Sequence, residues 1–339
     1  MKFKAAVLRK SKHPLSIESV EFRDKLSVGQ VLVRIQRTAI CGSQIGEIDA
    51  VKGPDKYLPH LLGHEAVAEV ADSGKSKKCS DGDQVILHWI KCEGIDAPPP
   101  RYFSNSEQIN AGQITTFSEY AVVSENRLTV VDRYKSESLN QYSIIGCALL
   151  TAYGTLTHVI GSKRLGKVLV LGGGGIGQAT ILLLKHFYES DITIVEPNKS
   201  KSRYCHEIGA SASLTDISQI DQSTLFDSAI ETTGVPEVIE RSYNALSRTG
   251  ILALVGVTKV GLKVNIDPMP LHYGKEIVGI YGGNAKPKND IPLLAQALSV
   301  SESISKLQFK VYSLDQINTA IQDFRNGSFS GRFILNCEV

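Results

Sequence analysis

Two groups of residues in this chain are of types that do chemistry. The first is the run Gly172-Gly173-Gly174-Gly175-Ile176-Gly177, in which Gly172, Gly174 and Gly177 fit G-x-G-x-x-G. It follows Val168-Leu169-Val170-Leu171, an apolar stretch of strand length, and opens a helical stretch from Gln178 to Tyr188. In that setting the first glycine permits a tight turn, the second lets the backbone approach a pyrophosphate, and the third lets the helix pack close to the strand. The helix N-terminus offers free N–H groups and a positive dipole end to phosphates. Asp191-Ile192-Thr193-Ile194-Val195 reads as the next strand, and Glu196 stands at its end. A carboxylate about 20 residues past the glycines accepts from a ribose 2′-hydroxyl and repels a 2′-phosphate, which favours NAD over NADP. Lys201, five residues on, is a candidate contact to the adenosine ribose. The plainer alternatives are a flexible turn in another α/β fold and a solvated acid at a strand end.

The second group is dispersed. Cys41-Gly42-Ser43 ends one strand-like stretch, Gly63-His64-Glu65 begins another, and Gly146-Cys147 stands just before the glycine-rich region. Thiolate and imidazole are zinc ligands. No pair among them has a zinc-finger spacing, and a buried cysteine equally serves as a small apolar side chain. On residue type alone, both readings stay open.

The elements around these groups differ along the chain. Residues 1 to about 150 are rich in short alternating runs, such as Gln30-Val31-Leu32-Val33-Arg34-Ile35, broken by Gly, Asp and Pro, which suggests a barrel or sandwich. The segment 93–115 holds Pro98-Pro99-Pro100 and few apolar residues, and reads as a long loop or lobe. From about 151, apolar strands alternate with helical stretches (199–208, 236–247), implying a parallel sheet covered on both faces. A helix near 314–326 and a last strand, Arg332-Phe333-Ile334-Leu335, close the chain. A length of 339 residues calls for two domains. With 37 basic and 35 acidic residues and no Lys/Arg block, a nucleic-acid or anionic-membrane surface is not expected. No apolar run is long enough to span a membrane. Six scattered cysteines without CxxC argue for a reducing, cytoplasmic setting.

Cys41-Gly42-Ser43, Gly63-His64-Glu65, Gly82-Asp83-Gln84-Val85, Gly146-Cys147 with Thr151-Ala152-Tyr153-Gly154, and the glycine-rich turn occur in this order nearly end to end. The string resembles the zinc-type medium-chain alcohol dehydrogenases; Thr116-Phe117-Ser118-Glu119-Tyr120 and Gly331-Arg332 fit as well. The resemblance implies an α/β two-domain fold: a GroES-like β-rich catalytic domain (1–150 and 287–339) and a Rossmann domain with a doubly wound parallel sheet (151–286), with the active site in the cleft. It implies one catalytic zinc on Cys41, His64 and Cys147, a fourth position being left for water or substrate. It makes Ser43 the hydroxyl that bonds the substrate oxygen and Glu65 a carboxylate behind the metal. It assigns Thr151, Gly172, Gly174, Gly175, Ile176, Gly177, Glu196, Lys201 and Arg332 to NAD, and Trp89 and Phe117 to the walls of the substrate pocket. The reaction implied is hydride transfer between an alcohol and NAD. The likeness further implies a homodimer joined edge to edge near Gly274 to Gly283, or a homotetramer.

Three departures from the family pattern bear on chemistry. Many relatives carry four closely spaced cysteines after the Gly-Asp turn for a structural zinc; here that region holds only Cys92, so no structural zinc is expected. The Asp that usually follows Ser43 and orients the ligand histidine is Gln44, whose amide oxygen remains able to accept from the imidazole N–H. The relay histidine of some relatives is Gly46, and His60 and His272 are read as structural. The polar residues Gln44, Glu47, His88 and Lys91 favour a polyol, cyclitol or sugar derivative as substrate. The competing readings are a zinc-free NAD(P)H quinone or enoyl reductase and a non-catalytic dinucleotide-binding protein.

Overall fold

A computed structural model describes residues 1–132, 136–221, 223–300 and 306–338. The chain forms two compact units, Met1–Cys147 with Lys286–Leu298 and Phe309–Val339, and Ala148–Ala285 with Ser299–Gln308. The run Ser299–Gln308 thus groups with the second unit, where the sequence placed all of 287–339 in the first. Its anchor is Tyr204, whose hydroxyl donates to the Lys306 carbonyl (3.3 Å) and accepts the Gln308 N–H (2.8 Å).

Alternating apolar residues give the first unit its sheets. Among the described residues one sheet has five strands and the other seven. The hub of the larger sheet is Gln30–Ala39, paired antiparallel with Ala66–Asp72, Tyr120–Ser124 and Arg332–Asn336. Its inward residues Val31, Val33 and Ile35 are fully buried in one core with Ala66, Leu87, Phe117 and Leu335. The register Thr38↔Ala66 and Ala39↔Ile334 sets three chain ends side by side: Cys41 just past the hub, His64-Glu65 just before one partner, and Arg332 opening another. The lobe is more ordered than the sequence suggested, because Tyr102–Ser104 and Glu107–Ile109 form a hairpin turning at Asn105 (φ 55°). Its apolar content is low but well placed: Tyr102 and Ile109 are buried, and the Tyr102 hydroxyl accepts the Val122 N–H at 2.8 Å.

The second unit is a six-stranded parallel sheet in the order Ala212–Leu214, Asp191–Val195, Lys167–Leu171, Phe226–Glu231, Leu246–Leu254, Glu276–Gly279. The order reverses between Lys167–Leu171 and Phe226–Glu231, the switch point where such sheets hold ligands. The glycine run leaves the end of Lys167–Leu171 there. It leads into the helix Gly175–Phe187, which buries Ala179, Ile181, Leu182, Leu183 and Leu184. Among the described residues no helix is long and apolar enough to cross a membrane.

The approach of that helix to its strand admits no side chain at Gly177. A Cβ there would stand 1.9 Å from the Gly172 carbonyl oxygen, a backbone atom that cannot move aside. Gly177→Ala should therefore cost about 1–3 kcal/mol of stability. The loss is measured by denaturant melts, with weakened NADH binding alongside; a variant that melts and binds as the parent does would refute this packing.

Candidate functional site

The sulfurs of Cys41 and Cys147 and a ring nitrogen of His64 lie within 4.8 Å of one another. Cys41 caps the short helix Gly42–Ile48, His64 lies in the turn before Ala66–Asp72, and Cys147 sits on a wide helical turn, Ile145–Leu149. The His64 Nδ1 is engaged by the Gln44 side chain, while Nε2 is buried and has no hydrogen-bond partner. An orphaned imidazole nitrogen costs stability unless something binds it, and two sulfurs and a nitrogen form the donor set of a zinc site. The residues therefore fit a catalytic zinc. In the protein alone, the hydrogen bond from Cys147 holds the Cys41 thiol well below the usual range, with His64 adding to the effect. The same bond, together with burial, pushes Cys147 well above it. Burial opposes charge on His64, but the adjoining Cys41 outweighs it and the imidazole is raised.

The frame around this trio is polar and buried. Glu65, fully buried, accepts the Cys147 N–H at 2.9 Å with Oε2, and Oε1 meets the Arg332 guanidinium at 3.3 Å. Burial pushes its carboxyl up to about 7, against the pull of Arg332 and His64. The Glu65 carbonyl accepts from Thr38 Oγ1 (2.7 Å) and from Thr116 Oγ1 (3.3 Å). Neither threonine was given a role from the sequence; Thr38 offered only an inward position on a buried strand, and Thr116 only its place in the run Thr116-Phe117-Ser118-Glu119-Tyr120. The sequence also had the Gln44 amide oxygen facing the imidazole. It accepts the Cys41 N–H instead, at 2.9 Å, which turns the amide nitrogen toward Nδ1, the pairing of an imidazole whose proton is on Nε2; a metal on Nε2 would move that proton to Nδ1 and call for the amide oxygen there. That is a correction, and its cause is the helix cap, which claims the oxygen first.

Several expected residues have other employment. Phe117, assigned to a substrate wall, is 1% exposed in the core beneath the His64 turn, so it offers no face to a ligand. His88 is fully buried, with its ring nitrogens against the Ile90 carbonyl (2.7 Å) and Thr129 Oγ1 (3.0 Å). Lys91 pairs with Asp96 at 2.6 Å. Of the four polar residues behind the polyol reading, His88 and Gln44 thus face the protein, and Lys91 is held on the surface by Asp96. His60 is buried between the Leu61 carbonyl (2.9 Å) and Asp55 (2.7 Å), a structural position. Trp89 is half-buried, its carbonyl held by Arg127, and Ser43 is exposed on the first turn after Cys41. Burial raises the carboxyl of Glu47, one helical turn past Ser43.

In the second unit the glycine turn is shaped for a ligand. A Cβ on Gly174 would meet nothing within 4 Å, so its backbone is open to an approaching group. Thr151 is buried and its Oγ1 has no partner. Glu196 is also buried; it accepts the Gly173 N–H (2.7 Å) and the Asn198 N–H (2.9 Å) on separate oxygens. The acid thus ties the turn to the strand end and keeps spare acceptor capacity, since a carboxylate has about four lone-pair sites. Gly175 and Ile176 begin the helix, and Lys201 stands in the first turn of Lys199–Glu207, capped by Asn198. Arg332, expected at the pyrophosphate, belongs to the first unit and bonds Glu65; its Nε has no partner.

Residues 27–133 match the alcohol dehydrogenase GroES-like domain and residues 175–299 the zinc-binding dehydrogenase domain. The chain belongs to the zinc-type medium-chain dehydrogenase family. It is 27% identical to alcohol dehydrogenase 6 of Peromyscus maniculatus over 96% of this chain and 95% of that protein. It is 27% identical to a D-arabinose 1-dehydrogenase (NADP(+)) of Saccharolobus solfataricus, over 99% and 98% of the two chains. The structure of an alcohol dehydrogenase zinc-binding domain protein from Burkholderia ambifaria superposes with a TM-score of 0.89 at 25% identity, covering 99% of each chain.

Two outcomes follow from the geometry. Gln44→Glu, which places a charge on Nδ1, should tighten zinc binding by roughly tenfold or more in competition with a chelator; unchanged affinity would mean the Gln44 contact does not tune His64. Burial lowers His88 from 6.5 to about 4, with Lys78 and Arg127 contributing. The unfolded chain therefore takes up this proton first on acidification. The stability tied to neutral His88 is complete above pH 6.5 and is lost as pH falls toward 4, about 3 kcal/mol in all. A His88→Gln chain should show a flatter melting temperature across that window.

Proposed function

We propose that this chain is a zinc- and NAD-dependent alcohol dehydrogenase. The observation that carries the reading is the buried, partnerless Nε2 of His64 beside the two cysteine sulfurs. A zinc ion held by Cys41, His64 and Cys147 would supply Lewis-acid polarisation of the alcohol or carbonyl oxygen, and NAD would supply the hydride acceptor. The chain's own residues do the rest. Glu65 and Arg332 fix the backbone of Cys147, and so the place of its sulfur. Ser43, exposed beside Cys41, is the hydroxyl that accepts the proton leaving a substrate oxygen and passes it to water. The open backbone at Gly174 and the first turn of Gly175–Phe187 receive the pyrophosphate, Thr151 Oγ1 the nicotinamide amide, and Glu196 the adenosine ribose.

The substrate is an alcohol or the matching carbonyl compound. A sugar or polyol is supported by the likeness to D-arabinose 1-dehydrogenase and by the exposed hydroxyl of Ser43 near the trio. Among the described residues the edge strand Glu276–Gly279 pairs on one side only, and Val257, Val260, Leu262 and Tyr273 near it in sequence are exposed. We assign this edge to a second copy of the chain, which sedimentation would show as a dimer or a dimer of dimers.

Metal analysis of protein purified without added metal should return about one zinc per chain. Cys147→Ser should lose turnover with every alcohol while still binding NADH. Wild-type turnover in that variant would remove Cys147 from the ligand set. Glu196→Ala should erode the preference for NAD, and equal discrimination before and after would remove Glu196 from the ribose contact.

A further inference from the structure

The lobe that carries a structural zinc in many members of the family does not fit one here. Cys92 is its only cysteine, and among the described residues the sole group of three or more close metal donors is Cys41, His64 and Cys147. Cys79 is buried, and burial raises its thiol.

What stands there instead is a lysine. Lys78 Nζ donates to the carbonyls of Glu93 (2.5 Å), Glu125 (3.0 Å) and Leu128 (3.5 Å). We propose that the Lys78 ammonium is the resident cation of this lobe, converging three main-chain oxygens on one point and holding the lobe shut without metal. An ammonium has three donors and no acceptor, so its capacity is met by this set.

The surroundings are built onto that point. Gly94 (φ 115°) passes so close that a Cβ would lie 2.9 Å from the Lys78 Cδ and 3.0 Å from Glu125 Oε1. Glu125 Oε1 accepts the Ile95 N–H at 2.7 Å. Ser124 Oγ donates to the Ile95 carbonyl and accepts the Ala97 N–H, both at 2.9 Å. The Cys92 N–H reaches the Asn126 carbonyl at 2.8 Å. Residues 92–97 are thereby laid along 124–126, with the ammonium drawing the two runs together. No carboxylate forms an ion pair with Lys78 among the described residues, so carbonyl dipoles, with the Glu93 carboxylate at longer range, balance its charge. Arginine cannot copy this arrangement, because its donors spread over a planar fork and do not radiate from one atom.

The test is amide hydrogen exchange of segment 92–98, with cleavage after Glu93 by a glutamate-specific protease as a second readout. In the wild-type holoenzyme, stripping metal with a strong chelator should leave exchange and cleavage at the lobe unchanged within twofold. Lys78→Met, which keeps the apolar stem, and Lys78→Arg, which keeps the charge, should each raise both rates by about tenfold or more, with one zinc per chain and NADH binding retained. The proposal is overturned if chelation opens the lobe, if the protein carries two zincs, or if either variant protects the lobe as well as lysine does. The chelator arm uses the wild-type chain, so it decides the matter even if a substitution prevents folding. None of these readouts depends on which alcohol is the substrate.

Discussion

The site depends on one buried carboxylate. Glu65 has no exposed surface, and burying a charge there is costly unless it is paired and hydrogen-bonded. It meets that demand with the Cys147 N–H on one oxygen and the Arg332 guanidinium on the other. Because it directly follows His64, the same residue links that histidine, the backbone of Cys147 and the first residue of the last strand. Removing one partner of such a pair typically costs about 3–5 kcal/mol, since the remaining charge is stranded. The hydroxyls of Thr38 and Thr116 on the Glu65 carbonyl fix the main chain from behind. Cys41, His64 and Cys147 are thus placed by a polar network of few members, and packing fills the space around it.

The dinucleotide turn follows a parallel logic. Glu196 was read as a ribose acceptor, and its carboxylate also holds the Gly173 and Asn198 amides. One acid therefore pre-forms the turn and keeps acceptor capacity for a ligand. The shape of the turn and whatever it binds at Glu196 are coupled through the same two oxygens.

What could be read in the sequence was whatever depends on local spacing or on a period. The glycine run announced the strand, turn and helix because its three steric demands fall at fixed intervals. The apolar runs announced the parallel sheet because strands covered on both faces have no polar side. Side chains whose role is decided by a distant partner were out of reach. Phe117 looked like a wall and is core, because the His64 turn lies over it. His88 looked like a polar contact and is sealed against Thr129, which lies 41 positions further along. Gln44 was recognised as a replacement, but the direction of its amide depends on the Cys41 N–H. The hairpin at Tyr102–Ile109 was missed because its two buried apolar residues are seven apart in a polar stretch, too few to show alternation. The run Ser299–Gln308 was misplaced because its anchor, Tyr204, lies about a hundred residues earlier.

The hub strand Gln30–Ala39 takes its neighbours from far along the chain, the last of them Arg332–Asn336. Closing so long a loop costs entropy before any contact repays it, and structures dominated by distant pairings form slowly. The trio and its clamp draw on positions 41, 64, 65, 147 and 332, so they come together only after the final strand has docked. During synthesis Cys41, His64 and Cys147 emerge long before the arginine that steadies their frame. A firmly held metal ion would then mark a chain that has been completed, and a truncated or stalled product would keep its thiols but lack the frame that aims them.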